Sequence, residues 1–243
     1  MKCKQSFCIP IICIALIFSG AHAQTPNIIP QNKHGVRVIT TAALYNQTVT
    51  ADSNNRMVPL NQYISPLFSD IQYATNQNFT KTVLYSHPRL AARLPVARAL
   101  QKVQRQLALQ GLSLFFYDAY RPYSVTEKMW EIVPDERYAA DPAKGSGHNR
   151  GIAVDITLAD VKTGKPVAMP TAFDNFTEKA HHNYMQLDSA VIANRALLKK
   201  VMEQNGFAAL STEWWHYSYT GASTAFAILD LPFQLFNEPE VAY

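Results

Sequence analysis

The sequence predicts an α+β fold, a single domain with a central antiparallel sheet flanked by helices, and three observations carry that prediction. Segments 112–117, 151–158 and 214–220 read as strands, and two apolar stripes at helical spacing lie between them. The connections are mostly loops and turns, without the regular strand–helix–strand repetition that builds a doubly wound sheet.

Each element has a local cause. Val96, Leu100, Val103 and Leu107 recur at helical spacing and are followed by Gly111, a C-terminal cap. Leu112, Leu114 and Phe116 then alternate with Ser113, Phe115 and Tyr117 until Asp118-Ala119-Tyr120-Arg121-Pro122, where proline stops regular pairing and leaves Arg121 at a strand end. Ser124 and Glu127 have capping-box spacing ahead of Val125, Met129, Ile132 and Val133, which predicts a short helix. From Gly151 to Leu158, Ile152, Val154 and Ile156 point one way and Ala153, Asp155 and Thr157 the other, so Asp155 faces away from the aliphatic row. Leu197, Leu198, Val201 and Met202, closed by Asn205-Gly206, give another helix, and Trp214 to Thr220 the last strand.

The ends and the composition narrow the function classes. Lys2 and Lys4, the apolar run from Phe7 to Phe18 and Ala21-His22-Ala23 read as a cleaved export signal, with the mature chain starting near Gln24 in a periplasmic or secreted location. The apolar run is shorter than the roughly 20 residues of a spanning helix and contains Pro10, so no membrane insertion is expected after cleavage. Cys3, Cys8 and Cys13 all lie in that segment, so a metal in the mature chain must be held by imidazole and carboxylate. Without Lys2 and Lys4 the 22 basic residues fall to 20, against 18 acidic ones, and a net charge of +2 does not suggest nucleic acid. The division is 1–23 signal, 24–56 polar irregular extension, 57–233 compact domain and 234–243 tail.

The chemistry gathers in two segments. Ser146-Gly147-His148-Asn149-Arg150-Gly151 puts a glycine-flanked His on a loop, and Asp155 follows seven positions after His148 on a strand, so the loop can fold back and offer both to one metal. A catalytic zinc takes three protein ligands and keeps one position open. The third would come from elsewhere, and Glu213-Trp214-Trp215-His216 offers an E-x-x-H pair. Residues three apart face opposite ways on an ideal strand, so both reach one site only if a bend or the strand start falls between them, or if the segment is helical. Taken singly, Asp155 reads as a hydrogen-bonded structural Asp and His216 as a half-buried histidine; their conjunction with Arg121 is what points to a hydrolytic site. Trp214 and Trp215 read as walls of that site, His181 and His182 as a helix end or supporting groups, His34 and His87 as bystanders, and Asp118 either as a strand end or as a partner of Arg121.

YDAYRP, SGHNRGIAVDITL, FDNFTEKAHH and EWWHY, preceded by IQYATNQNFT, resemble in order the signature segments of the D-alanyl-D-alanine dipeptidases, the VanX-type zinc peptidases. The resemblance spans roughly Asp70 to Phe233 and extends to the superfamily of D,D-carboxypeptidases, lysostaphin-type endopeptidases and the hedgehog domain, whose fold it implies. It implies one zinc ion per chain held by His148, Asp155 and His216, with Glu213 as general base and Arg121 stabilising the oxyanion. It also implies a small dipeptide substrate, D-Ala-D-Ala, whose ammonium is met by Asp174 with Tyr73 and Ser146. Read without it, these last three are a turn residue, a core aromatic and a loop hydroxyl. Lys81 stands where the family has glycine. The competing functions are a D,D-carboxypeptidase or endopeptidase on peptidoglycan peptides, and a non-catalytic zinc-containing binding module.

Overall fold

The computed structural model describes residues 28–221 and 226–237. The expected signal segment and its cysteines lie outside the described residues. In chain order the elements are β1 (Val38–Ile39), α1 (Ala42–Ala51), β2 (Met57–Pro59), β3 (Phe68–Ser69), β4 (Ala91–Arg93), α2 (Leu94–Ala108), β5 (Leu112–Asp118), α3 (Tyr123–Ile132), β6 (Ala153–Asp160), α4 (Ser189–Gln204), β7 (Phe207–Ala209), β8 (His216–Tyr219) and β9 (Ile228–Leu229). No helix among the described residues is long and apolar enough to cross a membrane.

The central sheet has the order β3-β5-β6-β8-β7. β5, β6 and β8 pair antiparallel, as their connections predict, with the unpredicted β7 antiparallel to β8, while β3 joins the edge parallel to β5 through Phe68 and Ser69. Two residues are too short to show a period, which is why that edge is silent in the sequence. Val96, Leu100, Val103 and Leu107 of α2 are fully buried, each contributing about 1.5–3 kcal/mol of apolar burial. α2 and α4 pack against each other and against the sheet, α2 on β5 and α4 on β6 and β7. Gly111 (φ +71°) and Gly206 (φ +86°) let the chain leave these helices in the left-handed region.

The sheet register aligns the chemistry. Asp118 pairs with Asp155 across β5 and β6, and Asp155 with His216 across β6 and β8, so three ionisable side chains form one row over three strands. A bulge between Phe116 and Asp118 re-aims the end of β5 toward that row.

Two expectations change. The α3 capping box does not form: Pro122 is the N-cap residue, which suits its fixed φ, and Ser124, two residues further in, gives its N–H and hydroxyl to Asp230 Oδ1 at 3.0 and 2.7 Å. Glu127 instead pairs with Lys33 and His34, both at 3.1 Å. The stretch 24–56, expected to be irregular, contains β1 and α1. β1 pairs parallel with β9, and Thr41 caps α1 by accepting from the Leu44 N–H.

Arg93 ties this strap to the domain. It is 1% exposed, and its guanidinium donates to three backbone carbonyls, of Asn55, Arg150 and Ala227. Burial pulls its pKa down to about 10, yet leaves it charged at neutral pH. Arg93→Ala should therefore cost on the order of 3 kcal/mol or more, because each charge-assisted bond is worth about 1.5–3 kcal/mol and the carbonyls lose their donor. Urea unfolding measures it; a loss below about 1 kcal/mol would contradict this role.

Candidate metal and catalytic centre

His148 is held by its neighbours before any ligand is considered. A Cβ on Gly147 would sit 2.8 Å from the Ala153 Cβ, and one on Gly151 (φ +71°) 2.6 Å from Met57 Sδ, so both flanking positions need glycine for the loop to press onto the sheet. The ring is 3% exposed, and its Nδ1 lies 2.7 Å from the Ala119 carbonyl. A carbonyl can only accept, so Nδ1 carries the proton and Nε2 presents a lone pair.

That lone pair faces two more donors. His148 Nε2 is 3.3 Å from His216 Nδ1 and 3.4 Å from Asp155 Oδ2, and His216 Nδ1 is 3.0 Å from Asp155 Oδ1. The ligand atoms of His148, Asp155 and His216 all lie within 4.8 Å of one another, with Ser218 Oγ 3.3 Å from His216 Nε2 to receive its proton. Tetrahedral donors about 2.0–2.1 Å from a zinc ion sit about 3.4 Å apart, so the spacing and the nitrogen and oxygen donor set fit that ion. Burial alone would raise Asp155, but the positive charge that the two imidazoles carry when protonated outweighs it and holds the carboxyl far below the usual range.

Arg121 lies beside this triad. Its Nε and Nη2 grip Asp118 Oδ2 at 3.0 and 2.8 Å, Nη2 is 3.8 Å from Asp155, and the guanidinium lies over the Tyr73 ring at 5.1 Å. Of the two readings of Asp118, partner of Arg121 is the one the geometry bears out. Tyr85 donates to both Asp118 oxygens at 2.9 Å, a group that sequence reasoning missed because nothing local links positions 33 residues apart. Burial opposes the charge on Arg121, and Asp118 more than restores it.

Glu213 approaches because Trp214 and Trp215 form a turn and β8 begins at His216, the strand-start solution for the E-x-x-H pair. Burial pushes its carboxyl up to about 7 against the pull of His216 and Arg121. Asp174 (φ +57°) accepts the Tyr73 hydroxyl at 3.0 and 3.2 Å, and burial followed by the Asp155 charge raises it well above the carboxylate range. Ser146 completes the group: all eight predicted site residues line one cavity of about 220 Å³. Sites for drug-sized ligands run roughly 300–1,000 Å³, so this one suits something smaller.

Trp215 walls the cavity as expected, whereas Trp214 is buried in the core and donates to Thr171 Oγ1 at 2.9 Å. Glu136 and Tyr138 also line it, from the loop after α3, and Tyr138 meets Phe176 edge-on at 4.9 Å. Lys81 keeps a left-handed φ of +56°, so the turn survives without glycine.

His182 stands apart, with a buried Nε2 that has no hydrogen-bond partner among the described residues. Burial, reinforced by Lys199 and Arg195, lowers its pKa to about 4. Below about 6.5 the unfolded chain takes up a proton that the fold refuses until about 4, so stability falls with pH across that window. Thermal melts from pH 7 to 4 should show a shallower decline in His182→Gln; identical slopes would contradict this.

Two imidazoles and a carboxylate converging beside a buried carboxyl and a guanidinium, in one small cavity of an α+β domain, have the make-up of a mononuclear metallopeptidase site. The chain belongs to the peptidase M15 family described as D-ala-D-ala dipeptidase, whose model matches residues 53–236, and it is a metallopeptidase. It is 34% identical over 170 residues to the D-alanyl-D-alanine dipeptidase of Escherichia coli (strain K12), covering 70% of this chain and 87% of that one. Against the enzyme of the same name from Enterococcus faecalis (strain ATCC 700802 / V583) it is 33% identical over 61% of this chain and 83% of the other. With that of Streptomyces coelicolor the identity is 29%, over 65% and 89%.

Proposed function

We propose that this protein is a zinc-dependent dipeptidase that hydrolyses D-Ala-D-Ala to two D-alanines. The observation that carries this reading is the single cavity in which the metal-ligand triad, Glu213, Arg121 and the Asp174–Tyr73 pair converge. His148 Nε2, His216 Nδ1 and an Asp155 oxygen would hold one zinc, which when bound acidifies water and polarises a carbonyl. Glu213, with its proton affinity raised toward neutrality, takes the proton of the attacking water and returns it to the leaving amine. The Arg121 guanidinium, fixed by Asp118, meets the negative charge that develops on the carbonyl oxygen.

Selection of a free dipeptide follows from its ammonium, one residue from the scissile bond. Asp174 and Tyr73, with Ser146 nearby, supply a buried acceptor for it, and the incoming positive charge lowers the Asp174 pKa and makes that acceptor anionic. Incubating the zinc-loaded protein with free D-Ala-D-Ala and with a peptidoglycan pentapeptide tests the reading through D-alanine release. Cleavage of the dipeptide is expected; cleavage of the pentapeptide alone would make it a D,D-carboxypeptidase. We also propose export, from Lys2, Lys4, the apolar run and Ala21-His22-Ala23, with recovery of D-alanine from wall fragments as the use. N-terminal sequencing of the exported protein should start near Gln24.

A further inference from the structure

We propose that Asn149 is a positioning residue that sets His148, Arg121 and Ser146 relative to one another; the activity part of its test rests on the dipeptidase reading above. Asn149 is fully buried and uses every polar group it has. Its Nδ2 donates to the Arg121 carbonyl at 3.0 Å and to Thr126 Oγ1 at 2.8 Å, and its Oδ1 accepts the Ser146 N–H at 2.9 Å. Its own N–H donates to Ser146 Oγ at 3.2 Å, and its carbonyl accepts the Leu229 N–H at 2.9 Å.

The consequence is geometric. Arg121 follows β5 and His148 precedes β6, and nothing in the strand pairing fixes one turn against the other. The Arg121 N–H donates to the His148 carbonyl at 3.2 Å, so both backbone polar groups of Arg121 end on residues 148–149. Only an amide offers two donors and an acceptor on one short side chain: an aspartate would set a carboxylate against the Arg121 carbonyl, and a serine would lose the reach to Thr126. Through Asn149, α3 and β9 brace the loop that carries the metal ligand and the Ser146 hydroxyl against the turn that carries the Arg121 guanidinium.

The test uses the full mature protein with zinc. Asn149→Ala should weaken zinc binding, measured by chelator competition on folded protein, by roughly 10–100-fold, and lower kcat on D-Ala-D-Ala by a similar factor, the range typical when a group supporting a metal ligand is removed. Leu107→Ala, in α2 away from the cavity, supplies a variant of comparable thermal destabilisation that should keep both values; equal losses in it would reduce Asn149 to a structural residue. Thr126→Val removes one bond and leaves Asn149 in place, and should cost about threefold to tenfold in kcat. If Asn149→Ala does not fold, Thr126→Val decides. Zinc affinity and kcat within twofold of the parent in the folded variants would overturn the inference. Should the parent bind zinc but leave D-Ala-D-Ala intact, the dipeptidase reading fails, and the zinc affinities alone decide the case of Asn149.

Discussion

Glu213→Ala is expected to retain zinc, with affinity changed only severalfold, and to lose turnover of D-Ala-D-Ala by about 10²–10⁴-fold, the usual contribution of a positioned acid–base group. The metal survives because Glu213 is not among the three converging donors. Turnover does not, because the other buried carboxyls beside the triad are engaged: Asp155 with His148 and His216, Asp118 with Arg121 and Tyr85, and Asp174 with Tyr73. In the parent, activity should fall as pH drops through the range where Glu213 takes up its proton, near 7 without a metal and lower once the ion's charge favours the carboxylate. Metal analysis and steady-state kinetics check both halves, and unchanged kcat in Glu213→Ala would remove the proposed base.

The second large effect is a paired one. Arg121→Ala should lower kcat by about 10²–10³, as when an oxyanion donor is removed, and should also cost about 3–5 kcal/mol of stability at neutral pH by leaving Asp118 buried without its cation. The pH sign separates the two losses. Without Arg121 the folded-state pKa of Asp118, already raised by burial, rises further above its unfolded value, so the variant gains stability relative to the parent as acid protonates Asp118 in the fold. Adding Asp118→Asn should restore much of the stability at neutral pH and none of the turnover. Recovery of kcat in the double variant would contradict the oxyanion role.

What could be read from the sequence follows from what has a period or a local chemistry. The stripe Val96-Leu100-Val103-Leu107, the alternation of β5 and the row of β6 are periodic, and they fix the helix and the strands that present Arg121 and Asp155. His148 is conspicuous because glycines flank it, and the E-x-x-H pair left a bend, a strand start or a helix open, of which the strand start at His216 is the one found. The supporting groups are another matter. The Ala119 carbonyl that sets the His148 tautomer, Ser218 behind His216, and Tyr85 behind Asp118 act through contacts made only when distant segments meet. α1 was missed because its apolar positions form no sustained stripe, and β3 because two residues have no alternation. Asp174 and Tyr73, 101 residues apart and joined by a hydrogen bond, came from resemblance; spacing alone gave a turn residue and a core aromatic, and Tyr73 is indeed also core.

The most direct test is a titration of metal-free mature protein with zinc while D-alanine released from D-Ala-D-Ala is measured. Activity should be absent at the start, rise linearly and stop at one zinc per chain, because His148, Asp155 and His216 form the one group of three possible ligands among the described residues. Hydrolysis by the metal-free protein, a plateau at two ions, or no hydrolysis at full occupancy would contradict the account.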